Sequence, residues 1–191
     1  MSSTNRSNAR EDHVADYYVT PINCIRDFFT AWKEDVEDEL GGVWLDPCAG
    51  GDKNHHMSYP EFISNELGIK TKTIDIREDS LAEIKADFLE MKFQNKYDVV
   101  ITNPPFNKAV EIIEKALDVC KDGGYVVMLL RLNFFGGKLR QEFWDKQMPT
   151  NAYIHRRRMS FLDNGGTDSI EYMHAVWKKG EYPKFTKIRI I

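Results

Sequence analysis

The sequence predicts an α/β fold built on a doubly wound, mostly parallel sheet. Short apolar or β-branched runs alternate with segments of helical periodicity, which is the pattern of successive βαβ units. Residues 125–130 are almost continuously apolar, as expected for a strand covered by helices on both faces. The last third of the chain contains two strand-like segments around a glycine-containing loop, which predicts an antiparallel hairpin that closes the sheet.

The composition favours one globular domain. The chain has 191 residues, of which 42% are hydrophobic and 29% charged, so it can bury one sizeable core. We expect a flexible tail over residues 1–16 and a single domain over residues 17–191. The net charge of -4 excludes a generally basic coat protein for nucleic acid, so any contact with nucleic acid must come from a local patch.

Neither the cysteines nor the histidines form a metal-binding pattern. The three cysteines are widely spaced, which suits neither a disulfide framework nor a Cys-x-x-Cys site. Asp52, His55 and His56 lack a third ligand at a suitable spacing, so no metal is expected. Because no apolar run reaches the length of a membrane span and the N-terminus has no signal-peptide core, we expect a cytoplasmic protein with no membrane partner.

A helix is predicted over residues 22–32, where apolar side chains recur at helical spacing. Pro21 suits its first turn and Thr20 its N-cap. The free N–H groups at such a helix start suit a carboxylate, although a plain capped helix explains the pattern equally well.

The first strand, residues 43–46, leads into the loop Asp46-Pro47-Cys48-Ala49-Gly50-Gly51-Asp52. The loop after the first strand of a βαβ unit lies at the carboxyl edge of the sheet, where ligands bind, and small residues let a ligand approach the backbone. This loop is a candidate cofactor site, and an ordinary structural turn is the alternative.

The second strand, residues 70–76, follows a helix predicted over residues 58–67 with Gly68 as its C-cap. The spacing from the first loop to Asp75 is close to that of a nucleoside-binding βαβ unit, in which a carboxylate accepts both ribose hydroxyls. Asp75 and its neighbour Ile76 are therefore cofactor-binding candidates. A solvated Asp beside Arg77 is the alternative.

A short helix is expected over residues 80–85, followed by a third strand edge over residues 86–89. There Asp87 is placed to accept a hydrogen bond from the amine of a cofactor's adenine ring, and Phe88 to flank that ring. A short acidic loop explains these residues nearly as well.

Residues 97–106 carry the strongest functional signal. A buried strand runs into Asn103-Pro104-Pro105-Phe106, and the prolines prevent it from continuing as strand or helix. Because neither proline has an N–H, we expect both proline carbonyls to lack local donors and to face a pocket, with the Asn103 side-chain oxygen as a further acceptor beside them. Two acceptors bonded to an exocyclic amine favour its pyramidal, nucleophilic form, and Phe106 offers a face on which a planar base can stack. The alternative is an ordinary strand exit.

The remaining chain supplies covering helices and basic residues. An amphipathic helix is predicted over residues 107–121 with its end at residues 122–124, and the loop after the strand 125–130 begins with Arg131, which we expect to border the substrate. Strands are predicted over residues 152–158 and 171–177, and an edge strand over residues 184–191. The cluster His155-Arg156-Arg157-Arg158 is a candidate phosphate-binding footprint, or a solvated or salt-bridged strand edge.

These motifs resemble those of a known enzyme family. Asn103-Pro104-Pro105-Phe106 resembles the catalytic tetrad of amino-methyltransferases that use S-adenosylmethionine, above all the DNA adenine (N6) enzymes. The loop from Asp46 resembles their Asp-Pro-Phe-Ala-Gly-x-Gly loop, with Cys48 in place of Phe and Asp52 in place of the last Gly. Residues 167–172 are similar to a Thr-Asp-x-x-Glu-Tyr stretch of phage-type adenine methyltransferases, which leaves a phage or viral origin open.

The resemblance implies a Rossmann-like class I methyltransferase fold and S-adenosylmethionine as cofactor, with S-adenosylhomocysteine as product. It implies a catalytic role for Asn103, Pro104, Pro105 and Phe106. It implies cofactor binding by Tyr18, Thr20 and Pro21 at the methionine end, and by Asp46, Pro47, Cys48, Ala49, Gly50, Asp75, Ile76, Asp87, Phe88 and Asn103. Nucleic-acid contacts are expected from Phe106, Arg131, Arg156, Arg157 and Arg158.

The resulting hypothesis is methyl transfer to the N6 amine of adenine in DNA, with RNA as another candidate partner. Little chain remains for a separate target-recognition domain, so short or relaxed sequence specificity follows. The alternatives are an RNA base methyltransferase, a protein glutamine N-methyltransferase, and a catalytically degenerate nucleic-acid-binding relative. The last of these is motivated by Asp52.

Overall fold

The computed structural model describes residues 18–94, 96–161 and 169–191. The tail predicted over residues 1–16 and the loop predicted around residues 165–168 lie outside this part of the chain. Within the described residues, no helix is both long and apolar enough to cross a membrane.

An eight-stranded sheet runs through the molecule in the order β3-β2-β1-β4-β5-β7-β6-β8. Its strands are β1 (Trp44–Asp46), β2 (Thr71–Asp75), β3 (Ile84–Lys85), β4 (Tyr97–Thr102), β5 (Cys120–Arg131), β6 (Asn151–Ile154), β7 (Tyr172–Lys178) and β8 (Lys187–Ile190). The strands from β3 to β5 are parallel, and β7 is antiparallel to both β5 and β6. The predicted fold class, with its antiparallel C-terminal strands, is confirmed.

Helices cover both faces of the sheet, which explains its continuously apolar strands. The helices are α1 (Ile22–Asp35), α2 (Ser58–Leu67), α3 (Ala109–Val119) and α4 (Gln141–Lys146). On β4, Val99 and Ile101 pack in the core cluster of α1 and α2, whereas Val100 packs in the cluster of α3 and α4. Successive side chains of a strand point to opposite faces, so a strand between two helical layers must be apolar at every position.

The helix predicted over residues 80–85 is wrong. The Ser80 hydroxyl donates to the carbonyl of Gly50 at 2.6 Å and accepts from the N–H of Ala82 at 3.0 Å. The N–H of Glu83 donates to the Thr73 hydroxyl at 2.9 Å. These hydrogen bonds join the segment to the loop after β1 and to β2, beside which Ile84 and Lys85 pair with Ile74 and Asp75 as a short parallel strand. The chain forms β3 at residues 84–85, just before the strand edge predicted over residues 86–89.

Five helix and strand boundaries differ from the sequence-based expectations. Pro21, not Thr20, is the N-cap of α1, and α1 continues to Asp35. A 3₁₀ turn over Phe106–Lys108 precedes α3, and β5 begins directly after α3, at Cys120. β6 ends at Ile154, so Arg156, Arg157 and Arg158 are not strand residues. The predicted edge strand is present as β8, and Gly68 caps α2 in the left-handed conformation, as predicted.

A substitution at Gly42 tests how β1 is held in position. Gly42 has φ of +81°, and a Cβ there would collide with the Asp98 carboxylate, which accepts from the N–H of Val43 at 2.7 Å. Gly42→Ala should therefore lower the free energy of unfolding by about 1–3 kcal/mol. Gly41→Ala is the matched control, because a Cβ at Gly41 meets no atom within 4 Å. Equal urea midpoints for the two variants would contradict this account.

Candidate active site

A cavity of about 340 Å³ lies at the carboxyl ends of β1, β2 and β4. This crevice is the usual ligand position in an open α/β sheet. Its lining includes most of the predicted cofactor-binding residues: Tyr18, Thr20, Asp46, Pro47, Cys48, Ala49, Gly50, Asp75, Ile76, Asp87, Phe88 and Asn103. Pro21 is the exception, because it lines a second cavity.

The loop after β1 is fixed to the end of β2 by backbone hydrogen bonds. The N–H of Ala49 donates to the carbonyl of Ile74 at 2.9 Å, and the N–H of Gly50 donates to Oδ2 of Asp75 at 2.7 Å. Gly51 has φ of +73°, and a Cβ there would lie 2.8 Å from Cγ of Met57. The glycine lets the loop turn against α2's entry segment and keeps the cavity wall thin.

Asp75 is buried rather than solvated. Its Oδ1 accepts from the N–H of Arg77 at 2.9 Å and lies 3.4 Å from Nε of the same residue. The Arg77 guanidinium also donates to the carbonyl of Gly51 at 2.8 Å, so it joins the two loops. Each carboxylate oxygen has about two acceptor positions, so Oδ2 can still accept one hydroxyl beside Gly50. Asp75 can therefore receive one ribose hydroxyl without loss of these bonds, whereas the sequence analysis assigned it both.

Asp46 is the most strongly desolvated acid of the cavity. It is 1% exposed, and its Oδ1 accepts from the N–H of Cys48 at 3.1 Å. Burial, with the charge of Asp75 as a smaller cause, raises the pKa of Asp46 to about 7. Among the described residues Asp46 has no ion-pair partner. A cation bound in the cavity would supply the missing charge partner.

The Asn103 amide is held in one orientation. Its Nδ2 donates to the Thr20 hydroxyl at 3.1 Å and to the backbone carbonyl of Tyr18 at 3.3 Å. A carbonyl can only accept, so the nitrogen of the amide must be the atom that faces Tyr18. The Asn103 Oδ1 is then the acceptor left for a ligand at the cavity.

The two prolines differ in what their carbonyls do. The Pro105 carbonyl accepts from the N–H of Lys108 at 3.0 Å, so the expectation that both proline carbonyls lack local donors is wrong for Pro105. The cause is the 3₁₀ turn that starts α3. Pro105 lines the first cavity, whereas Pro104 is buried and is not one of its lining residues. No backbone N–H of the described ranges donates to the Pro104 carbonyl.

Phe106 lies outside the cavity, in an aromatic cluster. The Arg131 guanidinium carbon lies 4.3 Å from the centroid of the Phe106 ring, and the Tyr172 ring lies 5.9 Å from it. Tyr18 and Phe161 extend the cluster, with centroids 5.6 Å apart. One face of Phe106 is therefore covered by Arg131, which a base stacking on that face would have to replace.

The basic cluster lines the second cavity, of about 560 Å³, beside the first turn of α1. Arg158 pairs with Glu171 at 3.2 Å. Arg156 and Arg157 are exposed, and neither forms an ion pair with any described residue. The salt-bridged interpretation therefore fits Arg158, whereas Arg156 and Arg157 are accessible cations.

Asp52 does not line the first cavity. Its carboxylate accepts from the N–H of Asn54 at 2.7 Å, from the N–H of His55 at 3.0 Å, and contacts Nδ1 of His55 at 3.1 Å. Asp52, which stands where the similar loop has a glycine, therefore uses its carboxylate for hydrogen bonds within its own loop. In the described ranges, no group of three or more His, Cys, Asp or Glu side chains is placed to hold a metal.

Solved structures share this architecture. A protein named as a class I S-adenosylmethionine-dependent methyltransferase from Listeria monocytogenes matches with a TM-score of 0.68 and 14% identity, over 94% of this chain and 67% of that one. The chain has the class I methyltransferase fold. No protein-family model and no curated protein matches the sequence.

Two further structures with the class I methyltransferase fold are similar. The M protein of the type I restriction enzyme EcoKI has a TM-score of 0.60 and 14% identity, over 94% of this chain and 49% of that one. The N-methyltransferase NodS from Bradyrhizobium japonicum, in complex with S-adenosyl-L-homocysteine, has a TM-score of 0.56 and 9% identity, over 93% of this chain and 94% of that one. The chain therefore spans about half of the M protein, and these identities establish the fold alone.

Sequence reasoning missed two buried polar residues of the site. The sequence indicates Arg77 only as a neighbour of Asp75, and it does not indicate Tyr59 as a site residue. Tyr59 lies on the buried face of α2, is 2% exposed, and lines the first cavity. The helical spacing of Tyr59, Phe62 and Ile63 could have placed Tyr59 on the buried face, but nothing in the sequence identifies its partner.

Because the pKa of Asp46 is raised, the free energy of unfolding should depend on pH. Its folded-state pKa of about 7 exceeds its ordinary value of 3.8, so the stability it contributes is complete below about pH 4 and is lost as pH rises through about 7. The free energy of unfolding of the parent should therefore fall relative to Asp46→Asn between about pH 5 and about pH 8. Urea denaturation of both proteins measures this difference, because the other titrating groups are common to both. A difference that is constant with pH would contradict the raised pKa.

Proposed function

We propose that this protein transfers a methyl group from S-adenosylmethionine to the exocyclic N6 amine of adenine in DNA. The observation that carries the proposal is the orientation of Asn103. Its amide nitrogen is bonded to Tyr18 and Thr20, so Oδ1 is left as an acceptor at the carboxyl-end cavity. An amide oxygen at this position can accept one N–H of an exocyclic amine.

The residues of the cavity fit the proposed cofactor. S-adenosylmethionine carries a sulfonium and an ammonium, and Asp46, Asp75 and Asp87 all line the cavity. Asp46 is a desolvated acid without an ion pair among the described residues, so a cationic ligand would relieve an unfavourable burial. Asp75 offers its Oδ2 to a ribose hydroxyl. Loop residues Gly50 and Gly51 have positive φ values of 68° and 73°, which lets a ligand approach the backbone.

The chain's own groups then orient the amine. S-adenosylmethionine supplies an electrophilic methyl group when bound. Asn103 Oδ1 and the Pro104 carbonyl each accept one N–H of the amine, which favours the pyramidal nitrogen and stabilises the positive charge that develops on it. No covalent intermediate with the protein is needed, and the alignment of the amine is the main contribution of the site.

Nucleic acid would approach from the side of Phe106 and the second cavity. Arg156 and Arg157 are accessible cations that can contact phosphates. Phe106 would receive the extruded base after Arg131 leaves its ring face. The resemblance of Asn103-Pro104-Pro105-Phe106 to the tetrad of DNA adenine methyltransferases is the reason for proposing DNA before RNA as the substrate.

Mass spectrometry of nucleosides tests the function. The protein is incubated with S-adenosylmethionine and, in separate reactions, with DNA, RNA or a glutamine-containing protein. N6-methyldeoxyadenosine in the DNA reaction supports the proposal. A methylated product in the RNA or protein reaction alone would mean that RNA or protein, and not DNA, is the substrate. If no product forms and calorimetry detects no cofactor binding, the protein is a catalytically degenerate relative.

Asn103→Ala separates chemistry from cofactor binding. The variant loses the acceptor for the amine, so the single-turnover rate at saturating cofactor and substrate should fall by about 10²–10³-fold. The dissociation constant of S-adenosylmethionine should change little, because the loops after β1 and β2 are intact. A folded Asn103→Ala protein with the parent's rate would remove Asn103 from the catalytic assignment.

The second cavity is tested with two sets of arginine variants. Replacing Arg156 and Arg157 by Gln should weaken DNA binding and reduce the slope of log Kd against log salt concentration by about 1–2, because each phosphate contact releases about one counterion. Arg158→Gln is the matched control and should change the slope less, since Arg158 is paired with Glu171. Equal slopes in the parent and the double variant would place the nucleic-acid surface elsewhere.

A further inference from the structure

The loop after β5 carries a leucine that is fully exposed to solvent. Leu139 is 100% exposed, whereas Phe185, the next most exposed large apolar side chain of the described residues, is 73% exposed. Leu139 lies in a 3₁₀ turn over Lys138–Arg140, directly before α4. Single exposed apolar side chains are common on protein surfaces, so exposure alone assigns no role to this leucine. The support, position and charge of its turn do.

The turn that presents Leu139 is held by the next residue, Arg140. Nε of Arg140 donates to the carbonyl of Phe134 at 2.9 Å, and Nη2 donates to the carbonyls of Gly136 and, at 3.4 Å, Asn133. The guanidinium carbon also lies 4.7 Å from the centroid of the Phe134 ring. Phe134 is buried in the core cluster of α3 and α4. Leu139 therefore projects from a turn that is anchored to the core.

This turn follows the sheet edge that holds the candidate active site. β4 and β5 are parallel, so the loops that follow them leave the same edge of the sheet. Arg131, the last residue of β5, has its guanidinium carbon 4.3 Å from the centroid of the Phe106 ring. The chain then forms a 3₁₀ turn over Leu132–Phe135, so the backbone rises only about 6 Å between Arg131 and Phe134, which anchors the turn of Leu139.

The loop is also positively charged. Residues 131–140 include Arg131, Lys138 and Arg140 but no Asp or Glu, in a chain whose net charge is -4. Lys138 is exposed and forms no ion pair with any residue that the structure describes. Such a local group of cations suits phosphates. An apolar side chain with a cation on either side matches a DNA duplex, in which the phosphates of the two strands flank a stack of bases.

We propose that Leu139 is a wedge that enters the base stack of duplex DNA and fills the place left when the target adenine is extruded towards Phe106. Extrusion is opposed by the stacking and pairing of the base, and an apolar side chain inserted between the neighbouring bases replaces part of the lost contact. Leu139 is a positioning residue, because it acts on the bases beside the target and not on the reacting atoms. The inference rests on the proposed function for duplex DNA as the substrate.

The first experiment measures binding to duplexes with and without a gap in the stack. Fluorescence anisotropy gives the Kd of the parent for a labelled duplex with one abasic site and for the same duplex intact. The parent should bind the abasic duplex about 10-fold more tightly, because no base has to leave the place that Leu139 fills. Leu139→Ala should lose this preference. Leu139→Met keeps a long apolar side chain and should retain most of it.

Phe185→Ala is the matched control for loss of an exposed apolar side chain. Phe185 directly precedes the start of β8, and β8 is parallel to β6 and β6 antiparallel to β7, which is antiparallel to β5. Phe185 therefore lies at the opposite edge of the sheet from the candidate site, and its variant should keep the parent's preference. A parent that binds both duplexes equally or binds neither, or a Leu139→Ala protein with the parent's preference, would overturn the inference.

The second experiment compares single-turnover methyl transfer on a duplex and on the single strand that contains its target adenine. Leu139→Ala should be about 10–100-fold slower than the parent on the duplex and equal to it on the single strand, where no base has to be extruded. Leu139→Met should restore most of the duplex rate. Rates that fall equally on both substrates, or do not fall on the duplex, would contradict a wedge.

The two experiments distinguish this inference from the proposed function. The binding measurement needs no turnover, so a preference for the abasic duplex that depends on Leu139 supports the wedge even if no N6-methyldeoxyadenosine forms. Conversely, N6-methyldeoxyadenosine made at the parent's rate by Leu139→Ala would support the proposed function and overturn the wedge. A leucine that instead binds a partner protein would leave both DNA measurements unchanged, which also overturns the inference.

Discussion

The hydrogen bond from the N–H of Gly50 to the Asp75 carboxylate determines the shape of the cavity. It joins the loop after β1 to the end of β2 at 2.7 Å in a buried position. Arg77 bonds the same carboxylate and the Gly51 carbonyl, so the two loops form one wall. Removing one partner of such a buried pair leaves a charge or donor unmatched, which costs several times more than a surface ion pair. The relative position of the two loops that line the cavity therefore depends on this contact.

The periodicity of the sequence was sufficient to predict the fold and the edge of the sheet at which the site lies. Apolar runs such as the one in β4 are dictated by burial on both faces, so their pattern predicts both the strand and its position in the sheet. The helix predicted over residues 80–85 failed because the segment is bonded to distant parts of the chain: Ser80 bonds the Gly50 carbonyl, Glu83 bonds the Thr73 hydroxyl, and residues 84–85 pair with β2. Propensity is a local property, and such long-range competition is not visible in it.

For the candidate site, too, the sequence predicts one group of residues and misses another. Residues at strand ends, such as Asp46, Asp75 and Asn103, could be placed at one edge because parallel strands end together. The residues that orient these side chains could not be predicted from the sequence. Thr20 was expected to cap α1, but its hydroxyl accepts from Asn103, 83 residues away. The same holds for the buried hydrogen-bonded group of Tyr59, His174 and His155, which lie on an α-helix, a strand and a strand end far apart in the chain, and which only the packing of α1 and α2 on the sheet brings together.

The segment from Tyr18 to Cys24 borders two cavities whose charged lining residues differ. Tyr18 and Thr20 line the cavity with three aspartates, whereas Pro21 and Cys24 line the cavity with the arginines. In a chain with a net charge of -4, a cavity with three aspartates and a cavity with several arginines therefore lie on either side of a few residues. Asn103 is bonded to this segment through Tyr18 and Thr20. These two hydrogen bonds tie the orientation of the Asn103 amide, which lines the first cavity, to a segment that also borders the second cavity.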